Sequence, residues 1–188
     1  MTTSPAEDSA MPDSSIRAAT PADLEQITAI YRHHVLHGTG TFETSPPDSA
    51  EMQRRMHEVH ARGLPWLVAA GGDDGRQVAG FAYANWFRAR EAYRFTLEDS
   101  IYIAPQQQRQ GLGGRLLAAL IEACTALGAR QMLAVIGDSA NAGSIGLHRA
   151  KGFDEIGRMP AVGWKFDRWL DVVVMQRALG AGATTPAV

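Results

Sequence analysis

Cysteine is what this chain has least of. Cys124 is the only one in 188 residues, which excludes an internal disulfide and any zinc cage built from thiolates. Charge of one sign is equally scarce. Eighteen Lys and Arg stand against 20 Asp and Glu, a formal net charge of −2. With no positive excess to neutralise a phosphate backbone, general nucleic-acid binding is not expected. Nowhere do about eighteen apolar residues run together, so no membrane-spanning helix is expected, and the first residues lack the basic and then apolar stretches of a secretory signal. With 45% hydrophobic residues in 188 positions, the chain can build one domain with a sizeable core but not two ordinary ones. Together these absences point to a cytoplasmic protein in reducing surroundings.

The ends are polar and small. Residues 1–14 (MTTSPAEDSAMPDS) and 180–188 (GAGATTPAV) bury too little to order themselves and read as a disordered N-terminal tail and a flexible C-terminal one. The folded domain is expected over residues 15–179. Ile16–Ala18 is a short strand, and Thr20-Pro21-Ala22-Asp23 opens a helix with a hydroxyl cap, proline at the first helical position and a carboxylate behind it. Leu24, Ile27, Tyr31 and Val35 keep helical spacing up to Gly38. A loop rich in Gly and Pro, carrying Phe42 and Glu43, leads to a second helix over Ser49–Arg62. The period then switches to strands: Trp66–Ala70, Gln77–Phe87 and Phe95–Ile103. Gly111–Leu127 is the strongest helix, with Leu112, Leu116, Leu117, Leu120, Ile121, Cys124 and Leu127 on one stripe. Strand Gln131–Ile136, helix Ala140–Ala150 and strands Phe153–Val162 and Trp169–Ala178 complete the chain. An early antiparallel meander followed by a β-α-β crossover implies an α/β fold, a mixed sheet with helices on its faces.

Chemistry concentrates between the strand ending at Ile103 and the leucine-striped helix, in Gln106-Gln107-Gln108-Arg109-Gln110-Gly111-Leu112-Gly113-Gly114. A strand, a glycine-rich turn and a helix start make an anion site, because the first amides of a helix lack internal partners and the dipole adds partial positive charge. Arg109 can add a charge-assisted contact. A P-loop would need a lysine after the glycine, which is missing, and a dinucleotide fold would place such a loop after its first strand. A glycine-rich helix start that merely turns the chain remains the plain alternative.

The pattern Gln108-x-x-Gly111-x-Gly113 resembles the acetyl-CoA pyrophosphate loop of the GNAT N-acetyltransferase superfamily. Asn141-x-x-Ser144-x-x-Leu147-His148-x-x-Lys151-Gly152-Phe153 resembles that superfamily's motif after the fifth strand, whose helix lines the pantetheine and thiol end of CoA. More narrowly, Phe95–Pro105, Arg88-x-Arg90-x-Ala92-Tyr93 and Val162–Asp171 resemble phosphinothricin and methionine sulfone/sulfoximine acetyltransferases. The resemblance implies a GNAT fold: a mixed, mostly antiparallel sheet of about seven strands with helices on both faces. It also implies acetyl-CoA as cosubstrate and a small amino-acid analogue as acceptor.

Residue by residue, the resemblance makes Glu98 the general base. A carboxylate in a strand that otherwise reads Phe, Leu, Ile, Ile is costly unless used or paired, and burial would raise its pKa toward neutrality. The plain alternative is a solvent-facing or arginine-bridged glutamate. His148 takes the place of a tyrosine that protonates the leaving thiolate in many GNAT enzymes; it either donates that proton or only packs against CoA. The backbone of Ile101, Tyr102 and Ile103 matches the strand that splays to bind the pantetheine arm. Arg109, Gln110, Gly111, Leu112, Gly113 and Gly114 match the pyrophosphate loop, and Asn141 and Ser144 the next helix start. Asn141 serves equally as a plain cap. Phe42, Arg88, Arg90 and Tyr93 are the acceptor candidates, the arginines suited to a carboxylate or phosphinyl group beside an aromatic wall. Trp164, Phe166 and Trp169 suit either a dimer interface, as in relatives, or a strand pair in the core. His57 and His60 lack the company of a metal site, and none is expected. The rival functions are a GNAT enzyme acting on another small amine or a protein N-terminus, and a CoA-binding sensor without turnover.

Overall fold

The computed structural model describes residues 14–72 and 74–187. Seven strands, β1 (Ser15–Ala18), β2 (Trp66–Gly71), β3 (Gln77–Trp86), β4 (Thr96–Ile103), β5 (Gln131–Gly137), β6 (Asp154–Lys165) and β7 (Arg168–Ala178), form one sheet in the order β1-β2-β3-β4-β5-β7-β6. Every pairing is antiparallel except β4 with β5. That pair is joined by α3 (Leu112–Ala126), as a parallel pair requires a crossover. The other helices are α1 (Leu24–His37), α2 (Ser49–Ala61) and α4 (Ala142–Ala150). The GNAT arrangement expected from the resemblance is the one found.

Side-chain parity along β4 assigns the helices to faces. Tyr102 meets Tyr31 of α1 edge-on at 4.9 Å, whereas Asp99 meets His148 of α4. Residues 99 and 102 point to opposite sides, so α1 and α2 cover one face and α3 and α4 the other. On the α1 side, Trp66, Phe81, Tyr83 and Tyr102 form a stacked aromatic layer. On the α3 side, Leu116, Leu117, Leu120 and Cys124 are fully buried. Each such leucine contributes about 1.5–3 kcal/mol by leaving water.

Three details depart from the sequence reading. Leu127 is not part of the buried stripe: it is 56% exposed, because the helix ends at Ala126 and the helical period no longer carries Leu127 inward. Strand β6 runs three residues beyond Val162, to Lys165, and turns through Phe166 and Asp167, both at positive φ. Trp164 and Trp169 pair across that hairpin but are 55% and 62% exposed, so a buried strand pair does not explain them.

The start of α1 is a single 3-10 turn, Pro21–Asp23. The Asp23 carboxylate accepts from the backbone and hydroxyl of Thr20 and from both ends of the Arg17 guanidinium, at 2.7–2.9 Å. Of the N-terminal tail, residues 1–13 lie outside the described residues, and Ser14 is buried against Arg115 of α3. Residues 180–187, read from composition as a flexible tail, make turns whose Gly182 and Pro186 carbonyls and Thr185 hydroxyl accept from Arg130.

Candidate active site

Strands β4 and β5 pair only from Thr96–Glu98 to Gln131–Leu133. Both continue, β4 to Ile103 and β5 to Gly137, but on diverging paths. The β5-facing backbone edge of residues 99–103 is therefore not used in the sheet, although β3 holds the other edge through Ile103. A cavity of about 880 Å³ opens at this split. Its walls include Glu98 to Ile103, the loop before α3, the start of α4 and the loop carrying Phe42.

The loop before α3 has the form its glycines suggested. Gly111 caps the helix at φ 74° with open space around it, and Arg109 also takes a positive φ of 61°. Such backbone is uncommon for a non-glycine residue. The amides of Leu112, Gly113 and Gly114 precede the first helical bond, Arg115 N–H to the Gly111 carbonyl, and so are available to an anion. Gly113 and Gly114 also serve packing: a β-carbon on Gly113 would press on Leu147 and one on Gly114 on Lys151, each at 3.3 Å. A β-carbon at either position would need Leu147 or the end of the Lys151 side chain to give by a few tenths of an ångström.

Glu98 is half-buried on the α1 side of the sheet. Burial raises its carboxyl pKa, the Asp99 charge adds to this, and Arg88 opposes it. On the α4 side, His148 and Asp99 form a pair whose side chains are each 2% exposed, with His148 Nε2 3.0 Å from Asp99 Oδ2. His148 Nδ1 lies 2.8 Å from the Ser144 carbonyl, which can only accept. Burial alone would lower the imidazole pKa, but Asp99 and the Ser144 carbonyl outweigh it and the net shift is upward. Asn141 caps α4, its Oδ1 accepting from Ser144 N–H at 3.2 Å, while also lining the cavity.

Phe42 reaches the cavity over two glycines. A β-carbon on Gly137 of β5 or Gly163 of β6 would collide with its ring. The loop is held from below by Lys165, which is buried and donates to the carbonyls of Gly38 and Thr41, both at 2.8 Å. Glu43 does not face the cavity: its carboxylate accepts from Tyr31 and Arg55, tying the loop to α1 and α2.

Of the residues expected from sequence, Glu98, Ile101, Tyr102, Ile103, Arg109, Gly111, Leu112, Gly113, Gly114, Asn141, Ser144, His148 and Phe42 line this one cavity. Gln110 does not, its amide turning back to the Gln106 carbonyl. Arg88, Arg90 and Tyr93 lie on an exposed segment beyond the cavity wall. Arg88 stacks on Phe87, 4.8 Å from its ring centre, and Tyr93 meets the same ring edge-on. Asp99 and His34 are among the cavity residues that went unread in the sequence. Asp99 shares its strand face with Leu97 and Ile101, a stronger anomaly than Glu98. His34 falls one helical turn after Ile30 and Tyr31, on the buried side of α1, and its Nε2 donates to the Ile103 carbonyl at 2.8 Å. Among the described residues no three His, Cys, Asp or Glu side chains gather as a metal site would need, and no helix is long and apolar enough to cross a membrane.

Comparisons with known proteins agree with this geometry. Residues 27–153 match the acetyltransferase (GNAT) family. The chain is 52% identical to a phosphinothricin N-acetyltransferase of Alcaligenes faecalis, over 91% of this chain and 85% of the relative. It is 44% identical to an L-methionine sulfoximine/L-methionine sulfone acetyltransferase of Pseudomonas aeruginosa, over 92% and 98%. The crystal structure of a phosphinothricin acetyltransferase from Sinorhizobium meliloti in complex with AcCoA superposes with a TM-score of 0.89 at 48% identity, covering 93% of each chain. Both the family match over residues 27–153 and these relatives show that the chain belongs to the GNAT family of acetyltransferases.

Proposed function

We propose that this chain transfers the acetyl group of acetyl-CoA to the amino group of a small amino-acid analogue such as phosphinothricin, methionine sulfone or methionine sulfoximine. The observation that carries the reading is the split between β4 and β5, which joins the amide-lined loop and Glu98 in one cavity. The loop fits a pyrophosphate because its amides face outward behind two residues of positive φ, and the free edge of β4 fits a pantetheine chain. Acetyl-CoA, when bound, supplies the activated acyl carbon.

The residues divide the work by face. Amides of 112–114 with Arg109 hold the phosphates, and the backbone of Ile101–Ile103, its last carbonyl fixed by His34, orients the thioester. Glu98, on the α1 side with Phe42, takes the proton of the attacking amine. His148, on the α4 side, protonates the departing sulfur. Arg88, near enough to act on the Glu98 charge though outside the cavity wall, draws the anionic part of the acceptor toward the cavity, with Arg90 and Tyr93 further along the same exposed segment. An arginine close enough to act on Glu98 disfavours a polycationic acceptor. The exposed Ile156, Met159, Val162, Trp164, Phe166 and Trp169 on the β6–β7 hairpin suit the interface of a homodimer. The enzyme works in the cytoplasm, a setting that suits its lone, fully buried cysteine.

Glu98→Gln tests the base. Its kcat at neutral pH should fall about a hundredfold or more with little change in acetyl-CoA affinity; near-normal turnover would remove Glu98 from the role.

A further inference from the structure

Asp99 is the charged residue this fold has least reason to keep. Its face of β4 otherwise carries Leu97, Ile101 and Ile103, and its side chain is as buried as that of His148. One carboxylate oxygen, Oδ2, meets His148. The other, Oδ1, is buried and finds no donor among the described residues. A histidine could be packed against apolar neighbours without this half-satisfied carboxylate, so packing alone does not account for it.

The ring geometry fixes the proton count. The Ser144 carbonyl can only accept, so Nδ1 carries a hydrogen. At 3.0 Å, a bare Nε2 lone pair facing a bare Asp99 oxygen would be repulsive. A second proton therefore sits between Nε2 and Oδ2, and the 3.0 Å contact, not the burial, is what lets imidazolium and carboxylate stand side by side, each neutralising the other. The groups facing the pair are few. Glu98 lies on the same strand and opposite face, and feels the Asp99 charge. Cys124 comes from α3, its thiol pushed up to about 12 by burial and then by Asp99, so it stays protonated. On α4, Arg149 turns to Glu155 and Lys151 lies over Gly114. Strand β5 brings only the apolar Met132–Ile136 past this point.

We infer that Asp99 is a positioning residue of the acetyl transfer, holding the transferable proton on His148 Nε2 from one face of β4 while Glu98, its neighbour on the opposite face, accepts the other proton of the step. The inference rests on the proposed function and deepens it. One buried carboxylate serves both ends of the step. The amine nitrogen forms a bond to the acetyl carbon and gives its proton to Glu98. The carbon–sulfur bond breaks with its electron pair on sulfur, and that sulfur takes the Nε2 proton as the hydrogen bond from Nε2 to Asp99 opens. His148 is left neutral with hydrogen on Nδ1, and the cycle closes when Glu98 loses a proton and His148 regains one from solvent.

The consequence is unusual in sign. Asp99 favours the protonated form of both partners, so Asp99→Asn should move both limbs of the kcat–pH profile to lower pH. The acid limb moves because Glu98 ionises more easily, and the alkaline limb because the buried imidazole loses its counter-charge. Both limbs are expected to move, and in the same direction. A profile lowered uniformly, with both limbs in place, would reduce Asp99 to a structural residue and overturn the inference. Ring-nitrogen NMR of the unsubstituted protein, with the His148 signals assigned by their loss in His148→Gln, gives an answer even if the asparagine variant does not fold. Two protonated nitrogens at neutral pH support the pair, and a single one contradicts it. If the wild-type protein transfers no acetyl group, the function reading fails, while the NMR result still decides the state of the pair.

Discussion

The ring of Phe42 occupies the space that a side chain on Gly163 would need: a β-carbon there would stand 2.8 Å from Cζ of the ring. Gly137, on the neighbouring part of the sheet, makes the same allowance from the other side. Two strands thus give up their side chains so that a loop can lay an aromatic ring against the cavity.

Gly163→Ala should therefore expel Phe42 and loosen the Lys165 attachment beneath it. Overpacking of this kind costs about 2 kcal/mol of stability. In kinetics the acceptor KM should rise several-fold while that for acetyl-CoA stays close to wild type, since the amide-lined loop is built from other elements. An equal rise in both would place Phe42 outside the acceptor site.

Stability at low pH should turn on Asp23. The hydrogen bond from Arg17 leads in lowering its pKa to about 2 against an ordinary 3.8. A depressed carboxylate stabilises the fold above its unfolded-state pKa and loses that contribution as pH falls through the folded one. Denaturant titrations should thus show about 2 kcal/mol disappearing between roughly pH 4 and pH 2. Asp23→Asn should be less stable than wild type at pH 7 and flat across that window. A wild-type curve equally flat would contradict the assignment.

The exposed ridge on the β6–β7 hairpin makes a prediction about mass. Sedimentation of the wild-type chain should give twice the 20.3 kDa of one copy, and Trp169→Glu, at a residue 62% exposed in the single chain, should shift it toward one copy. A wild-type monomer at micromolar concentration would remove the interface.

Much of this architecture is legible in the residues because single rules dominate locally. The α3 stripe from Leu112 to Cys124 follows one period through one helix, and only Leu127, past its end, escapes. The loop at 106–114 is readable because glycines between a strand and a leucine-striped helix mark where the helix starts, and Gly111 does cap it at positive φ. The hairpin at Phe166-Asp167 was hidden because its positive φ angles fall on residues that rarely adopt them, where Asn-Gly would have announced the turn. Asp99 was hidden for another reason. Glu98 drew attention as a carboxylate in an apolar strand, although alternation places Asp99, not Glu98, among Leu97 and Ile101. That Phe42 would sit on two glycines nearly a hundred residues or more away is a tertiary fact with no local signal.

The most direct test of the account is release of CoA from acetyl-CoA across a panel of acceptors: methionine sulfone, methionine sulfoximine, phosphinothricin, common amino acids, spermidine and an aminoglycoside. The account predicts acceptor-dependent turnover on the first three, weakened by Arg88→Ala through the acceptor KM. Turnover on spermidine or the aminoglycoside alone, or tight acetyl-CoA binding with no turnover on any acceptor, would contradict it.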